Sequence, residues 1–113
     1  MSVKRVVMNK ETKTIIEEVR KSLKESAIPL KGIYLFGSRA KNSQTKDSDY
    51  DIAVILKIPV SQLIKDSVRS FVYDVMLKYD VVIDSHVYSE NDITDPTTPF
   101  REKIRTEGIF YAF

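Results

Sequence analysis

Residues 35–55 read LFGSRAKNSQTKDSDYDIAVI, and this stretch determines most of what the chain can be. A Gly-Ser pair, Gly37 and Ser38, ends one apolar run, and the acidic segment Asp49-Tyr50-Asp51 opens the next. Both runs are rich in β-branched or aromatic residues, which predicts two short buried strands, Gly32 to Phe36 and Tyr50 to Leu56. The polar segment between them predicts a connection with a short helical turn, across which the two strands pair.

Gly37 and Ser38 predict a turn that can hold phosphate oxygens. Glycine has no Cβ, so the backbone at Gly37 can bend sharply and approach a ligand closely. Ser38 offers a hydroxyl and is placed to begin a helical turn whose free N–H groups attract anions. Arg39 and Lys46 lie close enough in sequence to neutralise phosphate charge, so both are candidate nucleotide-binding residues.

Asp49 and Asp51 open the second strand two residues apart, a spacing that places both side chains on one face and Tyr50 on the other. Two carboxylates ~4 Å apart repel by about 4 kcal/mol at an effective dielectric near 20, so a bound divalent cation is favoured. Mg²⁺ prefers one or two carboxylates plus substrate phosphates. The stretch therefore predicts a nucleoside triphosphate site with Mg²⁺, and a surface turn rich in Asp and Ser is the alternative.

The periodicity of apolar residues outside this stretch predicts three helices and a third strand. The first helix covers Glu11 to Ser26, and the signals at Pro59 and Ser61 start the second. The later predicted elements are the second helix up to Tyr79, a strand over Val81 to Tyr88, a helix from Thr98-Pro99 to about Glu107 with Gly108 as C-cap, and an apolar tail, Ile109 to Phe113, that packs on the sheet or on a partner.

Composition limits the class of protein. A chain of 113 residues with 42% hydrophobic and 30% charged residues predicts one folded domain, residues 1–113. The absence of cysteine excludes disulfides, thiolate metal sites and thiol catalysis. A net charge of +2 gives little support to a nucleic-acid partner. No apolar run approaches the roughly 20 residues that span a bilayer and no leader pattern is present, so we expect no membrane association and a cytoplasmic location.

The motif formed by Gly37-Ser38, ten intervening residues and Asp49-Tyr50-Asp51 resembles the signature of the DNA polymerase beta-like nucleotidyltransferase superfamily. The small size resembles its minimal nucleotidyltransferase (MNT) branch. This resemblance implies an α/β (α+β) nucleotidyltransferase fold, a small mixed β-sheet with helices packed on it. It also implies that Asp49 and Asp51 are catalytic and bind metal, that two Mg²⁺ ions act, and that ATP or another nucleoside triphosphate is the substrate.

In that superfamily a third carboxylate from a neighbouring strand completes the site. Asp84 is the expected residue here, because it lies inside the third predicted strand, where it shares a face with His86 and Tyr88. Asp80, at the entry to that strand, is the alternative. A direct catalytic role for His86 is not expected, since a single strand histidine is more often structural.

The activity implied by the resemblance is transfer of a nucleoside monophosphate, AMP from ATP in the simplest case, to an acceptor hydroxyl. The reaction would be in-line attack on the α-phosphorus with departure of pyrophosphate. Small MNT proteins are encoded with an all-helical HEPN protein, a toxin ribonuclease that they neutralise as antitoxins, in some cases by adenylylation, so such a partner and an oligomer or heteromer are expected. The alternatives are a non-catalytic binding module of the same fold that neutralises its partner, and a nucleotidyltransferase that acts on a small molecule or an RNA end.

Overall fold

The chain forms three helices and four strands in the computed structural model, which describes residues 10–41, 48–95 and 97–113. Their order is α-β-β-α-β-α-β. The elements are α1 (Lys10–Glu25), β1 (Leu30–Phe36), β2 (Tyr50–Leu56), α2 (Gln62–Tyr79), β3 (Ile83–Ser89), α3 (Pro99–Glu107) and β4 (Ile109–Ala112).

The four strands form one sheet in the order β3-β2-β1-β4. Strand β1 runs antiparallel to β2 and β4, whereas β2 and β3 are parallel, so the expected small mixed sheet is confirmed. The apolar tail, predicted to pack on the sheet or on a partner, pairs with β1 as edge strand β4. Phe110 of this strand covers Gly32, where a Cβ would collide with its ring.

The predicted helix boundaries are close to those observed because the capping signals act as expected. The Ser61 hydroxyl accepts from the Ile64 N–H (3.2 Å), and the Thr98 hydroxyl accepts from the Arg101 N–H (3.1 Å). Gly108 ends α3 as its C-cap, and its N–H donates to the Ile104 carbonyl (2.9 Å). Each cap satisfies a backbone group that the helix end leaves without an intrahelical partner.

The third strand begins at Ile83, two residues later than predicted. Helix α2 ends with Asp80 in the left-handed conformation, at a φ of 53°. The Val81 N–H then donates back to the Met76 carbonyl (3.2 Å). The helix end therefore uses the first residue of the apolar run for its own C-terminal turn, and the strand starts after it.

The two faces of the sheet are covered by different helices. Helices α1 and α2 pack on one face, where the even-numbered residues of β2 are completely buried. Helix α3 packs on the other face through Ile104, against Phe36, Ala53 and Ile55. No helix in the described part of the chain is long and apolar enough to cross a bilayer. The even-numbered residues of β2 are Tyr50, Ile52, Val54 and Leu56.

Candidate active site

The turn after β1 directs the chain back toward β2. Gly37 ends the strand with a positive φ of 74°, and residues 38–41 make one helical turn in which the Lys41 N–H donates to the Gly37 carbonyl (3.3 Å). A Cβ at Gly37 would collide with the Asp51 carboxylate. The backbone conformation and the close approach of Asp51 each require glycine at this position.

Asp51 lies between the two other elements of the candidate site. It pairs across the sheet with Phe36 of β1 and with Asp84 of β3, and cross-strand partners point to the same face. Burial raises the pKa of the Asp51 carboxyl, and the negative charges of Asp84 and Asp49 raise it further. The structure thus brings Asp84 and Asp49 within electrostatic reach of Asp51, and Asp51 and Asp84 line one cavity on the face that α3 covers, whereas Asp49 does not line it.

A cavity of about 340 Å³ lies against these groups. Gly37, Asp51 and Asp84 line it, together with two cations, Lys41 from the helical turn and Lys103 from α3. Acidic and basic side chains at the wall of one cavity suit a ligand that carries phosphates and a divalent cation together. We call this space the nucleotide cavity.

Aromatic rings form the remaining wall of the nucleotide cavity. The His86 ring contacts Phe100 (centroids 5.1 Å apart) and Phe36 (5.8 Å). Its Nε2 lies 3.4 Å from the Asp84 Oδ2, so Asp84 and His86 share a face, as strand alternation predicts. Tyr88, two residues further on, packs against the cluster that contains Phe36. The wall is therefore apolar beside the carboxylates.

Arg39 does not reach the nucleotide cavity, although it follows directly after Ser38. Its guanidinium stacks on the Tyr50 ring at 3.7 Å and donates from Nε and Nη2 to the Ser48 carbonyl (3.0 and 2.7 Å). It is 8% exposed. Because Tyr50 points to the opposite face from Asp51, the predicted phosphate contact of Arg39 receives no support from the geometry. The side chain instead braces the segment that leads into β2.

The other predicted residues have different positions. Ser38 begins the helical turn beside Gly37 and is half-buried. Asp80, the alternative third carboxylate, is an exposed C-cap of α2 and does not line the nucleotide cavity. Lys46 lies outside the described residues.

The carboxylates of the cavity are open on one side and do not by themselves surround a metal ion. Across residues 10–41, 48–95 and 97–113, no three or more His, Asp or Glu side chains are grouped as a closed metal site. Asp51 and Asp84 nevertheless provide adjacent hard oxygen donors, and their mutual repulsion raises the pKa of Asp51. Mg²⁺ takes one or two carboxylates and completes its shell with substrate phosphates and water, so this pair fits it in chemistry.

Sequence reasoning missed several side chains of the cavity wall. Lys41 has a local signal, because it stands four residues after Gly37 in the same polar segment. Lys103, Phe100 and Glu107 have none, since α3 follows the signature by some fifty residues and only the fold brings it to the carboxylates. Glu107 pairs with Lys41 at 3.0 Å.

Comparisons with known proteins agree on one family. Residues 16–109 match the family described as "Nucleotidyltransferase domain". A Methanocaldococcus jannaschii protein described as "Putative protein adenylyltransferase" is 32% identical over 102 residues, which cover 89% of this chain and 94% of that protein.

Several solved structures with a similar fold are toxin–antitoxin complexes. A toxin–antitoxin structure with AMP-PNP gives a TM-score of 0.63 at 21% identity, over 86% of this chain and 73% of that one. A complex of a tri-AMPylated Shewanella oneidensis HEPN toxin with an MNT antitoxin gives 0.59 at 19% identity, over 89% and 72%. At these identities the similarity concerns the fold.

Proposed function

We propose, since this chain belongs to the nucleotidyltransferase domain family, that it transfers AMP from ATP to a hydroxyl of a partner protein. The observation that carries the proposal is that Asp51, Asp84 and the Gly37 turn line the same cavity. A phosphate-binding turn beside paired carboxylates is what a reaction at a nucleoside triphosphate requires. The specific choice of AMP and of a protein acceptor follows the name of the relative that is 32% identical.

Asp49, Asp51 and Asp84 are the residues that would hold Mg²⁺, and we propose two ions. Bound there, the ions would stabilise the charge on the attacking and leaving oxygens. The exposed position of Asp84, whose side chain is 60% accessible, suits a carboxylate that accepts the proton of the acceptor hydroxyl. Asp51, which is more buried and lies against Gly37, suits the nucleotide side of the centre.

The turn formed by Gly37 and Ser38 would bind the triphosphate through its N–H groups. Lys41 and Lys103 line the same cavity and would neutralise the phosphate charge, the task that sequence reasoning gave to Arg39 and Lys46. With the nucleotide held in this way, the acceptor oxygen attacks the α-phosphorus. The bond between the α-phosphorus and the bridging oxygen breaks, and pyrophosphate leaves.

We further propose that the partner is an all-helical HEPN-type toxin and that this chain is its cytoplasmic antitoxin. Support comes from two structures of similar fold, a toxin–antitoxin pair with AMP-PNP and an AMPylated HEPN toxin with an MNT antitoxin. This chain has three helices and one small sheet in its described part, so recognition of a large acceptor needs a surface outside the nucleotide cavity.

A second candidate function is neutralisation of the partner by binding without chemistry. One observation favours it: the described carboxylates do not form a closed three-ligand metal site. The two candidates differ in what removal of the carboxylates does, because binding alone does not need them.

The test is labelling of a purified HEPN-type protein, chosen from the genes next to the gene of this chain, with ATP that carries ³²P at the α-phosphate. We expect Asp51→Asn and Asp84→Asn to reduce labelling at least about 100-fold, the loss typical for removal of one group that stabilises charge in a transition state. Isothermal titration calorimetry with ATP and Mg²⁺ provides the binding readout.

Asp80→Asn is the matched control. It makes the same chemical change at the alternative carboxylate, and asparagine tolerates the left-handed conformation of that position. Labelling should stay within about twofold of the wild type. Unchanged labelling by Asp51→Asn would contradict the proposed enzymatic function. If both Asp51→Asn and Asp84→Asn still relieve toxicity in cells, neutralisation by binding alone would be favoured.

A further inference from the structure

A second cavity, of about 560 Å³, lies between α2 and β3. Arg69, Tyr73 and Met76 of α2 line it on one side, and Asp84 and Ser85 of β3 line it on the other. We call it the α2–β3 groove. Asp84 also lines the nucleotide cavity, so a single carboxylate stands where the two spaces meet.

In-line displacement needs separate approaches for the acceptor and the nucleotide, and the groove and the nucleotide cavity share only Asp84 among the residues that line them. The attacking oxygen must approach the phosphorus from the side opposite the leaving group. The groups suited to the triphosphate, namely Gly37, Lys41 and Lys103, line the nucleotide cavity and not the groove. A molecule in the groove therefore approaches Asp84 from a direction that the nucleotide leaves open.

The backbone of β3 offers hydrogen bonds to whatever occupies the groove. β3 is an edge strand of the described sheet. The Val82 carbonyl accepts from the Tyr50 N–H of β2 (2.9 Å), and backbone groups of successive strand residues point to opposite sides, so those of Ile83 and Ser85 point outward. Consistent with this direction, the Ile83 N–H donates to the Met76 sulfur on the α2 side (3.1 Å).

An apolar side chain also lies exposed in the groove. Tyr73 lines it and is 55% exposed. An exposed aromatic side chain beside an open strand edge is typical of a surface that binds a polypeptide. An open groove of this size with backbone hydrogen-bonding groups suits an extended segment better than a small molecule.

We propose that the α2–β3 groove binds an extended segment of the acceptor protein as an added strand on β3 and presents its hydroxyl side chain to Asp84. This proposal rests on the proposed function and adds to it the place and form of acceptor binding. The hydroxyl oxygen forms a bond to the α-phosphorus of ATP, the bond from that phosphorus to the bridging oxygen breaks, pyrophosphate leaves, and the hydroxyl proton passes to the Asp84 carboxylate.

The test compares two tryptophan substitutions on the same helix. Ser70→Trp places a large ring in the groove from an exposed position of α2. Leu63→Trp makes a comparable change at a residue that is 76% exposed and does not line the groove. Circular dichroism melting shows whether both variants fold.

The probes are libraries of acetylated nonapeptide amides with one Tyr, Ser or Thr at the centre and random residues on both sides. The acetylated amides of the same three amino acids serve as comparison acceptors, because they are too short to fill the groove. ATP labelled at the α-phosphate reports transfer. We expect Ser70→Trp to lower the ratio of peptide labelling to single-residue labelling about tenfold, with the KM for ATP unchanged, and Leu63→Trp to leave the ratio at its wild-type value.

An equal ratio in the two variants would contradict acceptor binding in the groove. The same holds if the wild-type chain labels only the single-residue amides, or if it binds ATP but labels no acceptor. A wild-type chain that neither binds ATP nor labels any acceptor overturns the proposed function itself. The two failures are therefore distinguishable.

Discussion

The two faces of strand β2 carry opposite kinds of surface. On the face toward α1 and α2, Tyr50, Ile52 and Val54 are completely buried among apolar side chains. On the face toward α3, Asp51 lies half-buried next to two further carboxylates and a cavity. Because neighbouring strand residues point to opposite faces, the seven-residue strand is apolar throughout on one face, whereas the other face has Asp51 at its start and the buried Ala53 and Ile55 after it. We call these the helix face and the cavity face of β2.

The largest expected effect comes from truncation on the helix face. Ile52→Ala should lower the free energy of unfolding by about 3 kcal/mol, since it removes a fully buried side chain and leaves a cavity. Urea unfolding followed by circular dichroism measures this. The rate of AMP transfer per folded molecule should change less than about twofold, because no side chain of the nucleotide cavity is altered.

Asp51→Asn on the cavity face is the matched comparison. Burial and neighbouring acids raise the pKa of Asp51, so its ionised form costs stability at pH values above the ordinary Asp range. The neutral amide should therefore leave the free energy of unfolding equal to or above that of the wild type. Loss of stability in Asp51→Asn as large as in Ile52→Ala would show that the two faces are not separate.

A smaller effect tests whether Arg39 belongs to the helix face. Arg39→Ala should cost about 2 kcal/mol of unfolding free energy, because the buried guanidinium stacks on Tyr50 and donates twice to the Ser48 carbonyl. The affinity for ATP, measured by calorimetry with Mg²⁺ present, should stay within about threefold of the wild type. A tenfold weaker affinity with unchanged stability would restore the phosphate contact predicted from sequence.

The smallest effect concerns a cation on the cavity face. Lys41→Ala should raise the KM for ATP about tenfold and leave the melting temperature unchanged, since the pair of Lys41 with Glu107 is exposed. The control is Lys78→Ala, which removes an ion pair with Glu18 between α2 and α1, neither residue of which lines the nucleotide cavity. Equal KM values for ATP in the two variants would contradict a contact between Lys41 and the phosphates of ATP.

Local signals carried much of the fold. Ser61 and Thr98 are caps where sequence placed them, and β2 has the predicted limits, because caps and apolar runs act over a few residues. The same locality explains why Asp51 could be chosen from its spacing alone. It also explains why β3 starts later than predicted. Val81 belongs to the apolar run that predicts the strand, but its N–H bonds to the C-terminal turn of α2.

Long-range placement could not be obtained in this way. Arg39 follows the glycine turn directly, yet its side chain lies on the helix face, and no spacing rule reveals the direction that a residue takes after a sharp bend. Lys103 lies on α3, whose approach to Asp51 depends on the whole sheet. Spacing therefore predicts Asp51 and Asp84, which line one cavity, but does not predict the two lysines that line it with them.

The contact of Gly37 with Asp51 links the fates of two positions that are fourteen residues apart. A side chain at Gly37 has no room while Asp51 keeps its carboxylate, so Gly37 cannot change before Asp51 does. If Asp51 were replaced by a smaller residue, the collision would be removed while the left-handed backbone at Gly37 remained. Asparagine, which tolerates that conformation, could then replace the glycine. The residue at position 37 therefore indicates whether a related sequence still needs room for an acid at position 51.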